Sequence, residues 1–414
     1  MHPVKKTEFF DGVDGLRAIA VLSVVAFHLN AWLPAGFVGV DVFFVISGFV
    51  VFGACSTLDP TRLRDFLLGF YARRVIRIVP ALLVCVLVSF GLMVLFVPLG
   101  TDGRFSERNT LTALAALVGG ANIALSAGAA DYWSPRSEFN PFTHTWSLGV
   151  EEQFYLLAPF VFLAWYRGRK ASAALVLAAM AMASVFVAAA WGTSVKSFYL
   201  LPARFWELAA GVALYMCMPW WRGRLLSYRG DVLAACGVVL LGTSFLVTGT
   251  GTFPWPGAAL PVAAALMLIM AVVARPDGWL NRVLTLRAVQ WVGKRSYAIY
   301  LWHWPVFVFL RWTVGLESVP VQFGALAATL LLGAASMVWV EQPAKGLLAG
   351  RSASRGGGGG RASPGFGRPG RLLHGACDRP RNLVPTTTHA QQDRSAICLE
   401  LHLRHSRHAP SLLA

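Results

Sequence analysis

The sequence contains repeated apolar runs of about 18–20 residues, the length that a helix needs to cross the hydrocarbon core of a bilayer. Hydrophobic residues make up 56% of the 414 residues, whereas charged residues make up only 14%. Soluble domains carry roughly 25% charged residues, and the short alternating segments of a membrane β-barrel do not occur in this sequence. We therefore predict an all-α fold, a polytopic helical membrane protein with about ten transmembrane helices.

The Lys and Arg residues between the apolar runs predict the topology. A weakly apolar stretch at 110–127 is ambiguous because it contains Gly119, Gly120 and Asn122. If it does not cross, most basic loop residues fall on one side, as the positive-inside rule requires; if it crosses, this bias disappears. We therefore expect ten crossings, both ends cytoplasmic, and a long outer segment at 99–146 that holds a re-entrant or surface helix. The predicted spans are 15–33, 36–55, 78–98, 147–165, 173–191, 199–218, 231–249, 257–274, 296–314 and 321–341.

The composition also excludes some classes of function. The net charge of +16 fits basic cytoplasmic loops, and no basic domain with interleaved aromatic residues stands apart from the spans, so we expect no nucleic-acid partner. The six cysteines form no CxxC pair, which argues against a zinc site or a disulfide framework, and we expect no metal. Residues 346–414 are polar, Gly-rich and aperiodic, so we predict a disordered cytoplasmic tail after a transmembrane domain at 1–345.

The first span carries two costly polar residues, Arg17 and His28. Eleven residues turn a helix about 20° past three full turns, so both side chains share one face and lie about 16.5 Å apart along the axis. Each residue alone has a structural explanation, because Arg17 can snorkel to lipid phosphates and His28 can be a packed core residue. Ionisable residues inside a membrane are nevertheless functional candidates, and histidine exchanges a proton near neutral pH.

Two carboxylates are candidate partners of this histidine. Asp41 lies in the second span, and Asp14 lies at the start of the first. A carboxylate that pairs with His28 would raise its basicity and fix its tautomer. Asp14 can instead pair with Arg17, and the sequence leaves this choice open.

Three arginines, Arg73, Arg74 and Arg77, precede the third span. Arg74 and Arg77 are three residues apart and share a helix face. Guanidinium groups bind phosphates in a bidentate manner, although a simple positive-inside cluster explains the same residues equally well.

Further polar residues lie in three other spans. Ser147 can cap the helix that follows it, and one acidic residue in the first turn suits the helix dipole, but two acidic residues beside a histidine and a tryptophan exceed that need. Arg204 and Glu207 have the i, i+3 spacing of an internal ion pair. Tyr300 and His303 share a helix face. The residues of the stretch at 142–159 that stand out are His144, Trp146, Ser147, Glu151, Glu152 and Tyr155.

Together these motifs resemble the acyltransferase-3 family of integral-membrane, acyl-CoA-dependent O-acyltransferases over residues 9–345. One such motif would be weak evidence, whereas seven in order are specific. The motifs are Asp14 with Arg17 and His28, GVDVFFVISGF at 39–49, RRVIRIVP at 73–80, THTWSLGVEEQFY at 143–155, RFWELAAG at 204–211, SYAIYLWHWP at 296–305 and VEQP at 340–343.

The resemblance implies transfer of an acyl group, usually acetyl, from cytoplasmic acyl-CoA to a hydroxyl of a bacterial cell-envelope or secreted carbohydrate. It implies a location in the bacterial inner membrane and therefore membrane lipid as a partner. Many family members continue into a further span and an SGNH-type hydrolase-like domain; neither pattern follows Glu341, and we expect a stand-alone version.

The resemblance also implies that His28 is the catalytic histidine and that Arg17, Arg74 and Arg77 are the donor-site arginines. The remaining candidates are residues that stand out by their own chemistry and position. The catalytic candidates are His28, Asp14, Asp41 and Glu151. The candidates for binding the acyl-CoA donor are Arg17, Arg74, Arg77 and the adjacent Arg73. The candidates for binding the acceptor are His144, Trp146, Ser147, Glu152, Tyr155, Arg204, Glu207, Tyr300 and His303.

Two alternatives stay open at this point. The acceptor can be a small molecule, such as a macrolide, or a lipid. A proton-coupled transporter could use Arg17, Asp41 and His28 as a relay, but it would be expected to show matched half-repeats, and none is evident.

Overall fold

The described residues form helices joined by turns and short loops. The computed structural model describes residues 10–96, 103–128, 137–224 and 227–346, and within these ranges it contains no strand. The all-α polytopic prediction is confirmed, whereas the predicted tail at 346–414 lies almost wholly outside the described residues. The helices are α1 (Asp11–His28), α2 (Gly39–Ala54), α3 (Leu63–Phe96), α4 (Gly103–Leu117), α5 (Ala121–Gly128), α6 (Trp146–Tyr166), α7 (Lys170–Trp191), α8 (Val195–Tyr199), α9 (Leu201–Met216), α10 (Met218–Trp221), α11 (Ser227–Val247), α12 (Ala259–Ala274), α13 (Trp279–Leu284), α14 (Arg287–Lys294), α15 (Ser296–Thr313) and α16 (Val319–Ser336), which continues into a π-helical turn at Met337–Glu341.

Each of the ten predicted spans overlaps a helix, but the helices differ in how apolar they are. Exposed apolar side chains such as Leu87, Phe186, Leu246 and Leu331 lie on α3, α7, α11 and α16, as expected for helices that face lipid. The helices α1, α9 and α15 instead bury ionisable side chains, namely Asp14, Arg204, Glu207 and His303, so they belong to the interior. Five segments of the described chain are long and apolar enough to cross a membrane by length and composition: Gly36–Thr57, Leu63–Phe96, Lys170–Trp191, Arg229–Val247 and Val319–Gly346.

The third helix starts well before the predicted span at 78–98. It has 34 residues, about 51 Å at 1.5 Å per residue, which exceeds the roughly 30 Å hydrocarbon core. Its first turns are polar and contain Arg74 and Arg77, which therefore lie on the same continuous helix as the membrane span. The i, i+3 spacing of Arg74 and Arg77 predicted their place on a helix that starts this span, whereas the predicted bounds of 78–98 omit the polar turns because they follow apolar residues only.

The ambiguous stretch at 110–127 forms two short helices rather than one span. The break between α4 and α5 lies at Gly119, whose φ of +71° belongs to the left-handed region that favours glycine. The 15 residues of α4 and the 8 residues of α5 measure about 22 Å and about 12 Å, and neither is long enough to cross by itself.

Two glycines set the distance between α2 and α9. A Cβ atom on Gly48 would lie 2.0 Å from the carbonyl oxygen of Leu208, and one on Gly211 would lie 2.0 Å from that of Val45. The two backbones are therefore in direct contact, as at other glycine-lined helix crossings in membranes. This crossing aligns the start of α2 with the start of α9, where buried charges lie.

The first helix runs through the middle of the bundle. It packs against α2, α12, α13, α14 and α15. Polar side chains on α1 therefore face interior cavities rather than lipid.

Candidate active site

Two cavities lie along α1. The first, called here the arginine chamber, is lined by Arg17, Arg74 and Arg77 and measures about 720 Å³ including its open mouth. The second, called here the histidine chamber, is lined by His28 and His144 and measures about 480 Å³. Arg17 and His28 thus line neighbouring cavities from one helix, as their spacing predicted.

Val40 and Tyr300 line both chambers. These two side chains, from α2 and α15, therefore form the wall that the chambers share. The hydroxyl of Tyr300 donates a hydrogen bond of 2.8 Å to the carbonyl oxygen of His144, and it lies 2.7 Å from the hydroxyl of Ser147. Both bonds hold the Tyr300 ring in the wall.

The arginine chamber gathers positive charge from α1 and α3. Arg74 and Arg77 project from one face of α3, and Arg74 lies 5.8 Å from the centre of the Tyr155 ring. Among the described residues, neither guanidinium has a carboxylate within ion-pair distance, whereas Arg17 pairs with Asp14 at 3.5 Å. Two arginines are therefore available to bind an anionic ligand.

One carboxylate faces the same chamber. Glu151 accepts hydrogen bonds of 2.9 Å from the hydroxyls of Ser47 and Tyr155. The structure therefore separates the catalytic candidate Glu151 from the acceptor candidate His144, which lines the other chamber. Ser47, a polar residue inside an apolar span, was overlooked, and its polarity at membrane depth was the signal that could have identified it.

Arg73 lies outside the arginine chamber, in contrast to the sequence prediction. Its Nη1 atom donates to the carbonyl oxygen of Ala54 at 2.9 Å and to the hydroxyl of Thr57 at 2.7 Å. It therefore satisfies a free carbonyl at the end of α2. One residue along a helix is a 100° rotation, which separates Arg73 from the face of Arg74.

His28 is the last residue of α1 and faces the histidine chamber. Its ring lies 4.5 Å from that of Trp304 and 5.5 Å from that of His303. The negative end of the helix dipole favours a positive charge on a residue in this position. Among the described residues nothing hydrogen-bonds to the imidazole of His28, so its nitrogens are available to a substrate.

The tautomer of His303 follows from its hydrogen bond. Its Nδ1 atom contacts the carbonyl oxygen of Tyr300, and a carbonyl only accepts, so Nδ1 carries the proton. Nε2 is then an unprotonated acceptor, buried and without a partner among the described residues. His303 packs behind His28 rather than lining either chamber.

Neither predicted carboxylate partner reaches His28. Asp14 pairs with Arg17 and is 14 residues from His28, about 21 Å along the helix. Asp41 instead lies 3.0 Å from Arg204, and Arg204 lies 2.9 Å from Glu207. The predicted Arg204–Glu207 pair thus exists, and Asp41 joins it because the close crossing of α2 and α9 brings them together.

The remaining predicted residues fall in different places. Trp146 and Arg204 line the histidine chamber, whereas Ser147 and Tyr155 line the arginine chamber. Glu152 lies beside Gly119, at the break between α4 and α5. Two residues that sequence patterns could not identify, Phe198 and Phe253, line the histidine chamber from segments that only the fold brings close.

A further residue near His28 was overlooked. Arg311 donates a hydrogen bond of 3.0 Å from Nη2 to the carbonyl oxygen of His28, and its guanidinium lies 5.4 Å from the centre of the Trp304 ring. Trp304 is itself fixed by a 2.7 Å bond from Nε1 to the carbonyl oxygen of Asn140. These bonds fix the end of α1. Within the described ranges no group of His, Cys, Asp or Glu side chains is arranged to hold a metal ion.

Comparison with known proteins agrees with this geometry. The sequence profile described as "Acyltransferase domain" matches residues 10–340. The peptidoglycan O-acetyltransferase OatA of Listeria monocytogenes is 28% identical over 81% of this chain and 56% of its own length. The O-acetyltransferase OatA of Staphylococcus aureus is 29% identical over 81% of this chain and 57% of its own. The putative peptidoglycan O-acetyltransferase YrhL of Bacillus subtilis is 32% identical over 78% and 51%.

The chain spans a little over half the length of these curated relatives. No solved structure matches it. The profile nevertheless covers both chambers and all the helices that line them. The chain therefore belongs to the acyltransferase-3 family of membrane enzymes that transfer acyl groups.

Proposed function

We propose that this protein is an O-acyltransferase that moves an acetyl group from acetyl-CoA to a hydroxyl of a cell-envelope carbohydrate. The observation that carries the proposal is that Val40 and Tyr300 line both chambers. The arginine chamber is therefore adjacent to the chamber that contains His28. Acetyl-CoA carries its phosphates at one end and its reactive thioester at the other, so binding and reaction require an anion-binding site beside a catalytic site. The names of the relatives, O-acetyltransferases of peptidoglycan, support the choice of acyl group and acceptor.

In this proposal the arginine chamber binds the donor. The phosphates of CoA carry several negative charges, and guanidinium groups bind phosphate oxygens through paired hydrogen bonds. Arg74 and Arg77 are free of carboxylates among the described residues and therefore suit this role. Loops rich in Lys and Arg lie on the cytoplasmic side of membrane proteins, and acyl-CoA is found in the cytoplasm. In this proposal the arginine chamber therefore opens to the cytoplasm of a bacterium. The enzyme lies in the inner membrane, with both ends of the helical domain cytoplasmic.

His28 acts as the general base. The acceptor hydroxyl oxygen attacks the thioester carbonyl carbon and forms a C–O bond, while its proton passes to the imidazole. The tetrahedral intermediate then expels the thiolate by breaking the C–S bond. The imidazolium returns its proton to the thiolate, which leaves as CoA, so the histidine ends neutral.

The test uses the full-length protein in lipid nanodiscs with [14C]acetyl-CoA and soluble peptidoglycan fragments. We expect label to appear on the glycan and CoA to be released in equal amounts. His28→Ala should abolish transfer while the protein still binds CoA. Wild-type protein that binds no CoA and transfers no label, or a His28→Ala variant with full activity, would refute the proposal.

A further inference from the structure

Arg204 is a buried guanidinium that lines the histidine chamber. Its side chain is 1% exposed. Asp41 holds Nη2 at 3.0 Å and Glu207 holds Nη1 at 2.9 Å. Among the described residues neither Nε nor Nη1 has a partner in hydrogen-bond geometry, so Glu207 holds Nη1 as an ion pair only. The carboxylates thus hold the guanidinium at both Nη atoms and leave further N–H donors, the one on Nε among them, uncommitted.

Aromatic rings enclose this guanidinium. Its central carbon lies 4.8 Å from the centre of the Phe253 ring, 5.7 Å from Trp146 and 5.9 Å from Phe198, and all three rings line the histidine chamber. Such a wall excludes water and lowers the local dielectric constant. A positive charge in this setting interacts far more strongly with a new negative charge than it would in water.

A purely structural role accounts poorly for this arrangement. Burying an ion pair costs more than apolar packing of the same volume, and here two carboxylates serve one guanidinium. The crossing of α2 and α9 is already fixed by direct backbone contact at Gly48 and Gly211. An unsatisfied buried donor adds a further cost that a packing residue has no reason to carry.

We infer that Arg204 is the oxyanion-binding catalytic residue of the acyl transfer, an inference that rests on the proposed function. As the acceptor oxygen bonds to the thioester carbon, the π electron pair of the carbonyl moves onto its oxygen. The guanidinium of Arg204 stabilises this negative charge while His28 holds the hydroxyl proton. When the pair returns and the C–S bond breaks, the thiolate takes the proton from His28 and Arg204 is unchanged.

Asp41 and Glu207 are positioning residues in this scheme. They come from different helices and fix the guanidinium at two nitrogens. A fork held at both ends cannot swing away from the chamber, and preorganised donors need no reorganisation when charge develops. Their effect on the reaction should therefore run through the orientation of Arg204.

The principal variant is Arg204→Lys, which keeps the positive charge but removes the fork. We expect kcat to fall on the order of 10²- to 10³-fold, with the KM for acetyl-CoA and the affinity for CoA unchanged. Binding of trifluoroacetonyl-CoA, whose hydrated ketone mimics the tetrahedral intermediate, should weaken by a similar factor. A residue with only a structural role would not separate these two ligands.

Ser184→Ala is the matched stability control. Ser184 accepts a 3.1 Å hydrogen bond from the backbone N–H of Trp206 on the same helix as Arg204 and lines neither chamber. It should lower the melting temperature without changing kcat per folded molecule. If Arg204→Lys does not fold, Glu207→Gln replaces it: the loosened guanidinium should give a smaller loss of kcat and of analogue binding.

The outcomes separate the two proposals. A wild-type enzyme that transfers acetyl groups, together with an Arg204→Lys variant of normal kcat and normal analogue affinity, overturns the role of Arg204 alone. Normal kcat in Glu207→Gln, where that variant is the one measured, has the same meaning. A wild-type enzyme without acetyl transfer removes the proposed function itself.

Discussion

Tyr300 and His144 are joined by a hydrogen bond of 2.8 Å from the phenol of one to the backbone carbonyl of the other, although 156 residues separate them. The bond connects α15 to the turn that precedes α6. It holds an aromatic ring between the arginine chamber and the histidine chamber. In the proposed function, this ring therefore lies between the donor and the acceptor.

Tyr300→Ala should therefore uncouple the reaction. Removing the ring opens the shared wall and admits water, so we expect hydrolysis of acetyl-CoA to rise severalfold relative to transfer. Tyr300→Phe is the control: it keeps the ring, loses hydrogen bonds worth about 1 kcal/mol each, and should keep hydrolysis low. CoA release is measured with and without acceptor, and equal ratios in the two variants would contradict a role of the ring as a barrier.

His28→Gln should separate donor binding from chemistry. Glutamine keeps a polar side chain in the histidine chamber but cannot accept the hydroxyl proton, so kcat should fall about 10²- to 10⁴-fold. The affinity for CoA, measured by calorimetry, should stay within twofold because the arginine chamber is intact. A fall in CoA affinity with an unchanged kcat would place His28 in donor binding instead.

Arg74→Gln and Arg77→Gln should each weaken the binding of acetyl-CoA. A charge-assisted hydrogen bond contributes about 1.5–3 kcal/mol, which corresponds to a rise in the KM for acetyl-CoA of roughly 10- to 100-fold. Arg73→Gln removes the same charge from the adjacent residue, whose guanidinium bonds to Ala54 and Thr57. Its KM should stay close to that of the wild type, and three equal effects would show that net charge, not the chamber, binds the donor.

Gly48→Ala should destabilise the protein and lower activity together. Its methyl group would meet the carbonyl oxygen of Leu208 and push α2 from α9, at a cost of about 1–3 kcal/mol for overpacking. The separation also moves Asp41 from Arg204. Gly91→Ala is the control, because a Cβ there meets nothing within 4 Å, and helix propensity makes it neutral or stabilising by up to about 1 kcal/mol. In thermal unfolding in detergent, the melting temperature of Gly48→Ala should be lower than that of the wild type, and that of Gly91→Ala should be equal to it or higher.

Local patterns were sufficient to predict the helices and the alignment of Arg17 with His28, because both depend on spacing within one segment. Apolar length located the helices of the ten predicted spans. The stretch at 110–127 was predicted as a single re-entrant or surface helix, and the structure divides it into two. The i, i+3 spacing also predicted the ion pair between Arg204 and Glu207.

Contacts between helices were less predictable. Asp41 lies near the start of α2, and it meets Arg204 because α2 and α9 cross where Gly48 and Gly211 let the two backbones touch. The sequence of either helix alone does not reveal this crossing point. Arg73 and Arg74 are adjacent and differ by 100° around α3, and which of them faces the chamber depends on how α3 is rotated against the helices that it packs on. Phe198 on the short helix α8 and Phe253 in a turn reach the histidine chamber from segments where neither periodicity nor polarity marks them.

The wall of Val40 and Tyr300 also matters for the cell that houses the enzyme. Because two side chains interrupt the path between the cavities, the acetyl-thioester end of the proposed donor needs to pass only a short barrier to reach His28, while hydrated ions meet an apolar and aromatic plug. Group transfer through the bilayer then need not dissipate the electrochemical gradient on which the same membrane depends.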